Sequence, residues 1–504
     1  MAGLNELLRK GDVAADHRPW PRVVVTAEVW NETVAGLAGG RWQLLGLWGE
    51  PDRIHLALRD EADETIGVVT LDCAAQRYPS VGLHHPPALR LERAARDLFG
   101  LEPVRLPDTR GWLDHGSWDV RHPLAATPDP APIDKAYVFL PIEGDGLHQI
   151  PVGPVHAGII EPGHFRFTAN GETVVRLEQR LGYVHKGIEG LMTGATVDAA
   201  SKLAARTSGD STVAYGLAFA RAIENALGVD APPRAAHLRA LMAELERVAN
   251  HLGDFGAICN DASFALIQAH CAVLREKVLR AAAAAFGHRL MRDRIVPGGV
   301  TADIGNDGIG AIRALLTDIK ALFPALVELY DNTASLQDRT VTTGTVKAHL
   351  VRQYAPGGFI GRASGRGFDV RKNLAYAPYD RLTFDMPVLE AGDVNARVWI
   401  RIREIEQSLS LIAQLLDDLP PGPQRIDLPL ATAPCEGMAL VEGFRGDILV
   451  WLRLDAGNRI ARCHLRDPSW FQWPLLEAAI EDNIVADFPL CNKSFNCSYS
   501  GHDL

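Results

Sequence analysis

Three long stretches of this chain place apolar residues at helical spacing, and each needs a partner to bury its stripe. Leu238, Leu241, Met242, Leu245, Val248, Ala249 and Leu252 follow an i, i+3, i+4, i+7 pattern behind the helix-opening Pro232-Pro233. Ile312, Leu315, Leu316, Ile319, Leu322, Phe323 and Leu326 make a second stripe, and Val398, Ile402, Ile405, Leu409, Ile412 and Leu416 a third. The third stops at Pro420-Pro421-Gly422-Pro423, where proline blocks continuation. Amphipathic helices of this length predict a bundle core.

The chain ahead of the bundle has the other period. Residues 22–26, 42–47, 54–58 and 66–71 are β-rich, and the last two flank a polar run, 59–64, suited to a hairpin. Leu89, Leu91, Ala94, Leu98 and Phe99 then give helical spacing from Pro86 to a stop at Gly100. Pro123, Pro128, Pro130 and Pro132 follow within ten residues and mark a semi-rigid linker. The expected fold is therefore multidomain α+β: a small N-terminal α+β domain (1–122), a Pro-rich linker (123–150) and a mainly α large domain (151–504) with a helix-bundle core. Short β-type runs at 448–454 and 459–465 predict a mixed α/β C-terminal part capping the bundle.

Composition narrows the function. Lys and Arg number 51 against 62 Asp and Glu, a net charge of −11 with no basic block, which argues against nucleic acid as ligand. Seven cysteines in 504 residues are too sparse for a disulfide scaffold and fit a reducing compartment. The first residues lack a signal-peptide pattern, and no apolar run approaches the roughly 20 residues that span a bilayer. The expectation is a soluble chain whose membrane association comes through partners.

General motifs are missing. No Gly-x-Gly-x-x-Gly follows a strand, the glycine-rich run 361–367 lacks the Gly-Lys-Ser/Thr ending of a P-loop, and there is no Cys-x-x-Cys. A more specific set is present, in order: Gly153-Pro154-Val155-His156, Glu161-Pro162-Gly163-His164-Phe165-Arg166, Leu181-Gly182-Tyr183-Val184-His185-Lys186-Gly187-Ile188-Glu189, Pro297-Gly298-Gly299-Val300, Asp338-Arg339-Thr340-Val341, Arg362-Ala363-Ser364-Gly365 and Asp369-Val370-Arg371. This set resembles the large subunit shared by respiratory complex I (49 kDa type) and the group 4 membrane-bound [NiFe] hydrogenases. Leu91-Glu92-Arg93-Ala94-Ala95-Arg96-Asp97-Leu98-Phe99-Gly100 resembles the 30 kDa-type subunit of the same complexes, so the chain looks like a fusion of the two.

The departures carry as much information. The hydrogenases of this family hold nickel with two Cys-x-x-Cys pairs, whose thiolates suit a soft redox metal. At the first pair this chain reads Arg206-Thr207-Ser208-Gly209-Asp210-Ser211, with Ser208 and Ser211 at the ligand positions, and Tyr215 replaces the histidine that follows. At the second pair, around Tyr499, the ligand positions become Ser498 and Gly501. A neutral hydroxyl does not replace a thiolate, so the resemblance implies no [NiFe] centre and no cofactor held by this chain. The quinone-contacting histidine and tyrosine of complex I align with Pro162 and Gly209. Glu161 matches the hydrogenases' proton-relaying acid, and Phe444-Arg445-Gly446-Asp447 matches the segment whose arginine overhangs the metal.

The resemblance implies a cavity with Glu161, His164, Asp210, Arg445 and Asp447 as candidate catalytic groups and Ser208, Ser211, Tyr215 and Tyr499 as its lining. It implies a [4Fe-4S] cluster in a small iron–sulfur partner subunit, a ferredoxin-like subunit and antiporter-like membrane subunits. The expected function is a large subunit on the cytoplasmic side of a membrane, passing electrons to a quinone or another small acceptor with coupled ion translocation. The alternative is a non-catalytic coupling subunit. Two local readings stand beside these: Ser208, Asp210 and Ser211 as an N-cap cluster for the helix running to Leu227, and Cys491 with Cys497 as an ordinary buried pair or a redox site.

Overall fold

A computed structural model describes residues 3–130, 137–156 and 160–504, so Pro132 of the expected linker lies outside the described residues. The β-rich N-terminal runs form strands Arg22–Val25, Gln43–Glu50, Arg53–Arg59 and Ile66–Asp72 of a five-stranded sheet, with Asp12–Val13 at its edge. Arg22–Val25 runs parallel to Ile66–Asp72, and the other neighbours are antiparallel. The following helix, Leu89–Phe99, ends where Gly100 adopts φ 74°, a left-handed cap that a side chain would resist.

Residues 147–150, assigned above to the linker, instead belong to strand Leu147–Val152. It pairs antiparallel with His164–Asn170, whose other neighbour is Thr173–Arg180. The helical stripes become Pro233–Asp261, Asn306–Asn332 and Val394–Asp417, joined by Ala265–Phe286. The first and third pack directly on each other, and Ala265–Phe286 bridges the first to the second. The stripe residues are buried except Leu322, which is 50% exposed on the outer face of its helix. Each buried leucine or isoleucine contributes about 1.5–3 kcal/mol relative to exposure, which gives the bundle its cohesion.

The C-terminal runs form an antiparallel sheet of Cys435–Gly443, Gly446–Leu454 and Ile460–Arg466. Helix Thr212–Leu227 lies across this sheet. The approach is close because Gly437 has no Cβ: one there would overlap the backbone oxygen of Ala222. A fourth strand, His17–Arg18, comes from the N-terminal region and pairs in parallel with Cys435–Gly443. Arg22 anchors the same seam through Glu436, with Nε–Oε2 at 2.7 Å and both side chains buried. Trp48 stacks between His55 and His464, at 5.3 and 5.1 Å between ring centroids. The N-terminal sheet and the C-terminal sheet therefore share one packed interior.

Candidate functional site

Three segments distant in sequence meet beside the first turn of helix Thr212–Leu227: residues 207–211, the hairpin turn Phe444-Arg445, and residues 496–501, which lead into the last helix. The turn joins two strands in tight register, with Gly443 opposite Gly446, and this projects Arg445 inward. Arg445 is 5% exposed and forks onto Asp210, Nη1 to Oδ1 at 2.8 Å and Nη2 to Oδ2 at 2.6 Å. Its Nε donates to the Asn496 carbonyl at 2.5 Å and Nη1 also donates to Ser211 Oγ at 3.2 Å. Burial alone would raise the Asp210 carboxyl, but the Arg445 guanidinium outweighs it and holds the group well below the usual carboxylate range.

The serines close around this pair. Ser208 Oγ donates to Asp210 Oδ1 at 2.8 Å and meets Ser498 Oγ at 3.0 Å. Ser498 caps the last helix, Tyr499–Asp503, by accepting from the Gly501 N–H at 2.9 Å. Gly501 has no space for a side chain, since a Cβ there would fall on Asp467 Oδ2. Asp467 is held in turn by the Tyr215 hydroxyl, which donates to Oδ2 at 2.6 Å, and by the Ser469 N–H at 2.9 Å. Tyr215 is thus a buried brace behind the site, its hydroxyl pushed well above its ordinary range by burial and then by Asp467.

The N-cap expectation is corrected here. Ser211 occupies the cap position of Thr212–Leu227 without a capping bond from its side chain. Glu246, from the bundle helix Pro233–Asp261, accepts instead from the Val213 and Ala214 N–H groups at 2.7 and 3.1 Å. The serine and aspartate side chains are thereby left to one another and to Arg445. Burial pushes the Glu246 carboxyl up to about 8 despite those two bonds.

A cavity of about 740 Å³ opens in front of the Asp210–Arg445 pair. Glu161, Ser208, Asp210, Arg445 and Tyr499 all line it. Glu161 is exposed to the cavity, its Oε2 accepts the Ser500 N–H at 3.1 Å, and it makes no ion pair among the described residues. Phe167, Val485 and Phe488 supply an apolar wall. His164 and Asp447 are not among the lining residues. His164 is buried on its strand, with Nδ1 3.2 Å from the Gly153 carbonyl, Nε2 accepting from Arg166 at 3.3 Å and the Phe139 ring at 4.9 Å. Asp447 is buried against Arg466, Nη2 to Oδ2 at 2.5 Å. Cys491 and Cys497 are both buried free thiols.

Behind the cavity lies a second layer of charges that sequence reasoning missed. Lys493 lines the cavity and bonds Asp254 Oδ1 at 3.2 Å, while Arg401 reaches Asp254 Oδ2 at 3.4 Å. Deeper in the bundle, His251 Nε2 lies 2.8 Å from Glu404, which also receives Arg362 at 2.6 Å. A signal for this layer was legible. Glu244, Arg247, His251 and Asp254 recur at steps of three and four, a charged stripe inside an apolar helix.

Residues 265–438 match the family described as respiratory-chain NADH dehydrogenase, 49 Kd subunit. The chain is 30% identical over 445 residues to formate hydrogenlyase subunit 5 of Escherichia coli, covering 86% of this chain and 78% of that protein. It is 32% identical over 351 residues to the carbon monoxide-induced hydrogenase of Rhodospirillum rubrum, covering 69% and 97%. Among solved structures, a chain of the membrane-bound sulfane sulfur reductase, an archaeal respiratory membrane complex, matches with a TM-score of 0.68 and 26% identity, covering 72% of this chain and 100% of that one.

Proposed function

Because this chain belongs to the family of large subunits shared by complex I-like and membrane-bound hydrogenase-type complexes, we propose that it serves as such a subunit without a nickel centre, reducing a small acceptor in the Glu161 cavity. The observation that carries this reading is the Asp210–Arg445 pair, set between the two loops that align with the nickel-holding segments of the hydrogenases. The donors there do not fit that metal. Ser208, Ser211 and Ser498 are neutral hydroxyls bonded to each other or to the pair, Gly501 has no room for a ligand, and a guanidinium occupies the centre.

What the residues can do is bind and protonate. Arg445 sets a fixed positive charge at the cavity floor, and Asp210 keeps it oriented. Glu161 is a lining carboxylate that makes no ion pair among the described residues and accepts the Ser500 N–H, which suits it to carry a proton to a reduced acceptor. The apolar wall of Phe167, Val485 and Phe488 favours an acceptor with an apolar body, a quinone or a comparably sized molecule. Electrons come, in this reading, from a [4Fe-4S] cluster of a small partner subunit fed by a ferredoxin-like one, and antiporter-like membrane subunits use the energy. Among the described residues no helix is long and apolar enough to cross a membrane. Attachment to the cytoplasmic face is accordingly assigned to partners.

A second reading, a coupling subunit without chemistry, is favoured by one observation: Asp210, Arg445, Ser208, Ser211 and Ser498 already bond to one another. Purification of the intact complex separates the two. Acceptor-dependent oxidation of the iron–sulfur clusters should be at least about 100-fold slower in Glu161→Gln if that residue delivers the proton. Unchanged turnover in both Glu161→Gln and Arg445→Ala supports the coupling reading and discards the catalytic one. Stoichiometric nickel in the complex overturns both.

A further inference from the structure

A second cavity, about 350 Å³, opens on the bundle between the end of helix Thr212–Leu227, the start of helix Pro233–Asp261 and the loop 376–381. It shares no lining residue with the Glu161 cavity. Arg221 lines it with its guanidinium 4.3 Å from the centroid of the Tyr376 ring. Among the described residues this guanidinium makes no hydrogen bond and no ion pair, and its Nε is buried without a partner. The Tyr376 hydroxyl is likewise buried and unpartnered, on a side chain only 6% exposed.

Neighbouring charges do not repair this. Glu224 is taken by Arg239, at 2.6 and 3.1 Å, and by the Gly298 N–H at 2.8 Å. Asp230 sits at the exposed rim and forms no ion pair with Arg221. A cation left in a partly buried pocket without a counter-charge is costly, and burial pulls the Arg221 guanidinium below its ordinary range. The cost is offset if an anion enters from solvent. A guanidinium held flat on an aromatic ring presents its remaining N–H groups as a planar fork, the geometry that carboxylates and phosphates accept.

We propose that this cavity binds a small oxyanion of the carboxylate or phosphate class, gripped by Arg221 and capped by the Tyr376 hydroxyl. The volume admits a small molecule, and the site is independent of the redox reading above.

Isothermal titration of the full chain with inorganic phosphate, and separately with succinate, tests this at ionic strength held constant with chloride. Saturable binding of one anion per chain is expected for at least one of the two, and the responding one identifies the class. Arg221→Gln should weaken it by about tenfold or more, and Tyr376→Phe by a few-fold. Arg221→Lys, which keeps the charge and loses the fork, should fall between wild type and Arg221→Gln. It also serves if Arg221→Gln does not fold, as judged by circular dichroism. Absence of saturable binding for both anions overturns the proposal, as does undiminished binding in the folded Arg221 variants.

Discussion

The hydroxyls of Ser208 and Ser498, 290 positions apart in the chain, meet at 3.0 Å. That contact joins the two loops aligned with the metal-holding segments of the hydrogenases, and it ties the end of the chain to the opening of helix Thr212–Leu227. Removing one hydroxyl leaves the other with its remaining bond, Ser208 to Asp210 or Ser498 to the Gly501 N–H. Ser208→Ala should therefore cost only about 0.5–1.5 kcal/mol by denaturant unfolding. A Ser208→Cys/Ser498→Cys chain should remain without nickel by elemental analysis, since Arg445 and Asp467 still fill the space.

The Asp210–Arg445 pair should behave differently. Arg445→Ala strands a carboxylate whose side chain is 37% exposed, so water relieves part of the loss. We expect destabilisation of about 1–3 kcal/mol, below the roughly 3–5 kcal/mol of a fully enclosed pair. Arg445→Lys should recover part of the stability but not the two-pronged contact. Equal stability of Arg445→Ala and wild type in urea titration contradicts this expectation.

Glu246 makes stability depend on pH with a sign opposite to that of an ion-paired acid. Its folded pKa of about 8 lies above the ordinary glutamate value of 4.5, so the native chain binds the proton more tightly than the unfolded one. This contribution is fully present below about pH 4.5 and is lost as pH rises through about 8. The slope is at most about 1.4 kcal/mol per pH unit. Glu246→Gln, which retains an acceptor for the helix end, should flatten that part of the stability profile measured between pH 5 and 8.

The seam between the N-terminal and C-terminal sheets yields a further expectation. Glu436→Gln leaves Arg22, 5% exposed, without its counter-charge and should cost about 3–5 kcal/mol. Residues 1–122 expressed without the remainder should expose Trp48 and the unpaired strand His17–Arg18, and should aggregate or bind a hydrophobic dye. A monomeric, cooperatively folding fragment sinks this prediction.

How much of the molecule was legible in advance varies with the range of the interaction. The stripes headed by Leu238, Ile312 and Val398 were readable because a helix repeats every 3.6 residues and its apolar face is written locally. Leu322 obeyed the same period yet faces solvent, because the neighbouring helix covers only part of that arc. The capping of Thr212–Leu227 misled for a related reason. Ser211 is a good local cap, but the Glu246 carboxyl reaches the N–H groups of that first turn from another helix, and nothing near Ser211 in sequence announces it.

The local elements, the missing thiolates at Ser208, Ser211, Ser498 and Gly501, and the family resemblance that made those positions meaningful were all written along the chain. Periodicity and residue chemistry are properties of neighbours along the chain, so they survive without a fold. It took long-range packing to lay Arg445 across Asp210, to turn His164 and Asp447 into other contacts, to leave Glu161 alone among the predicted acids facing the cavity unpaired among the described residues, and to leave Arg221 likewise in a second one. Each of these depends on which distant backbone segments pack together, and burial then sets the energetic weight of every charge brought there.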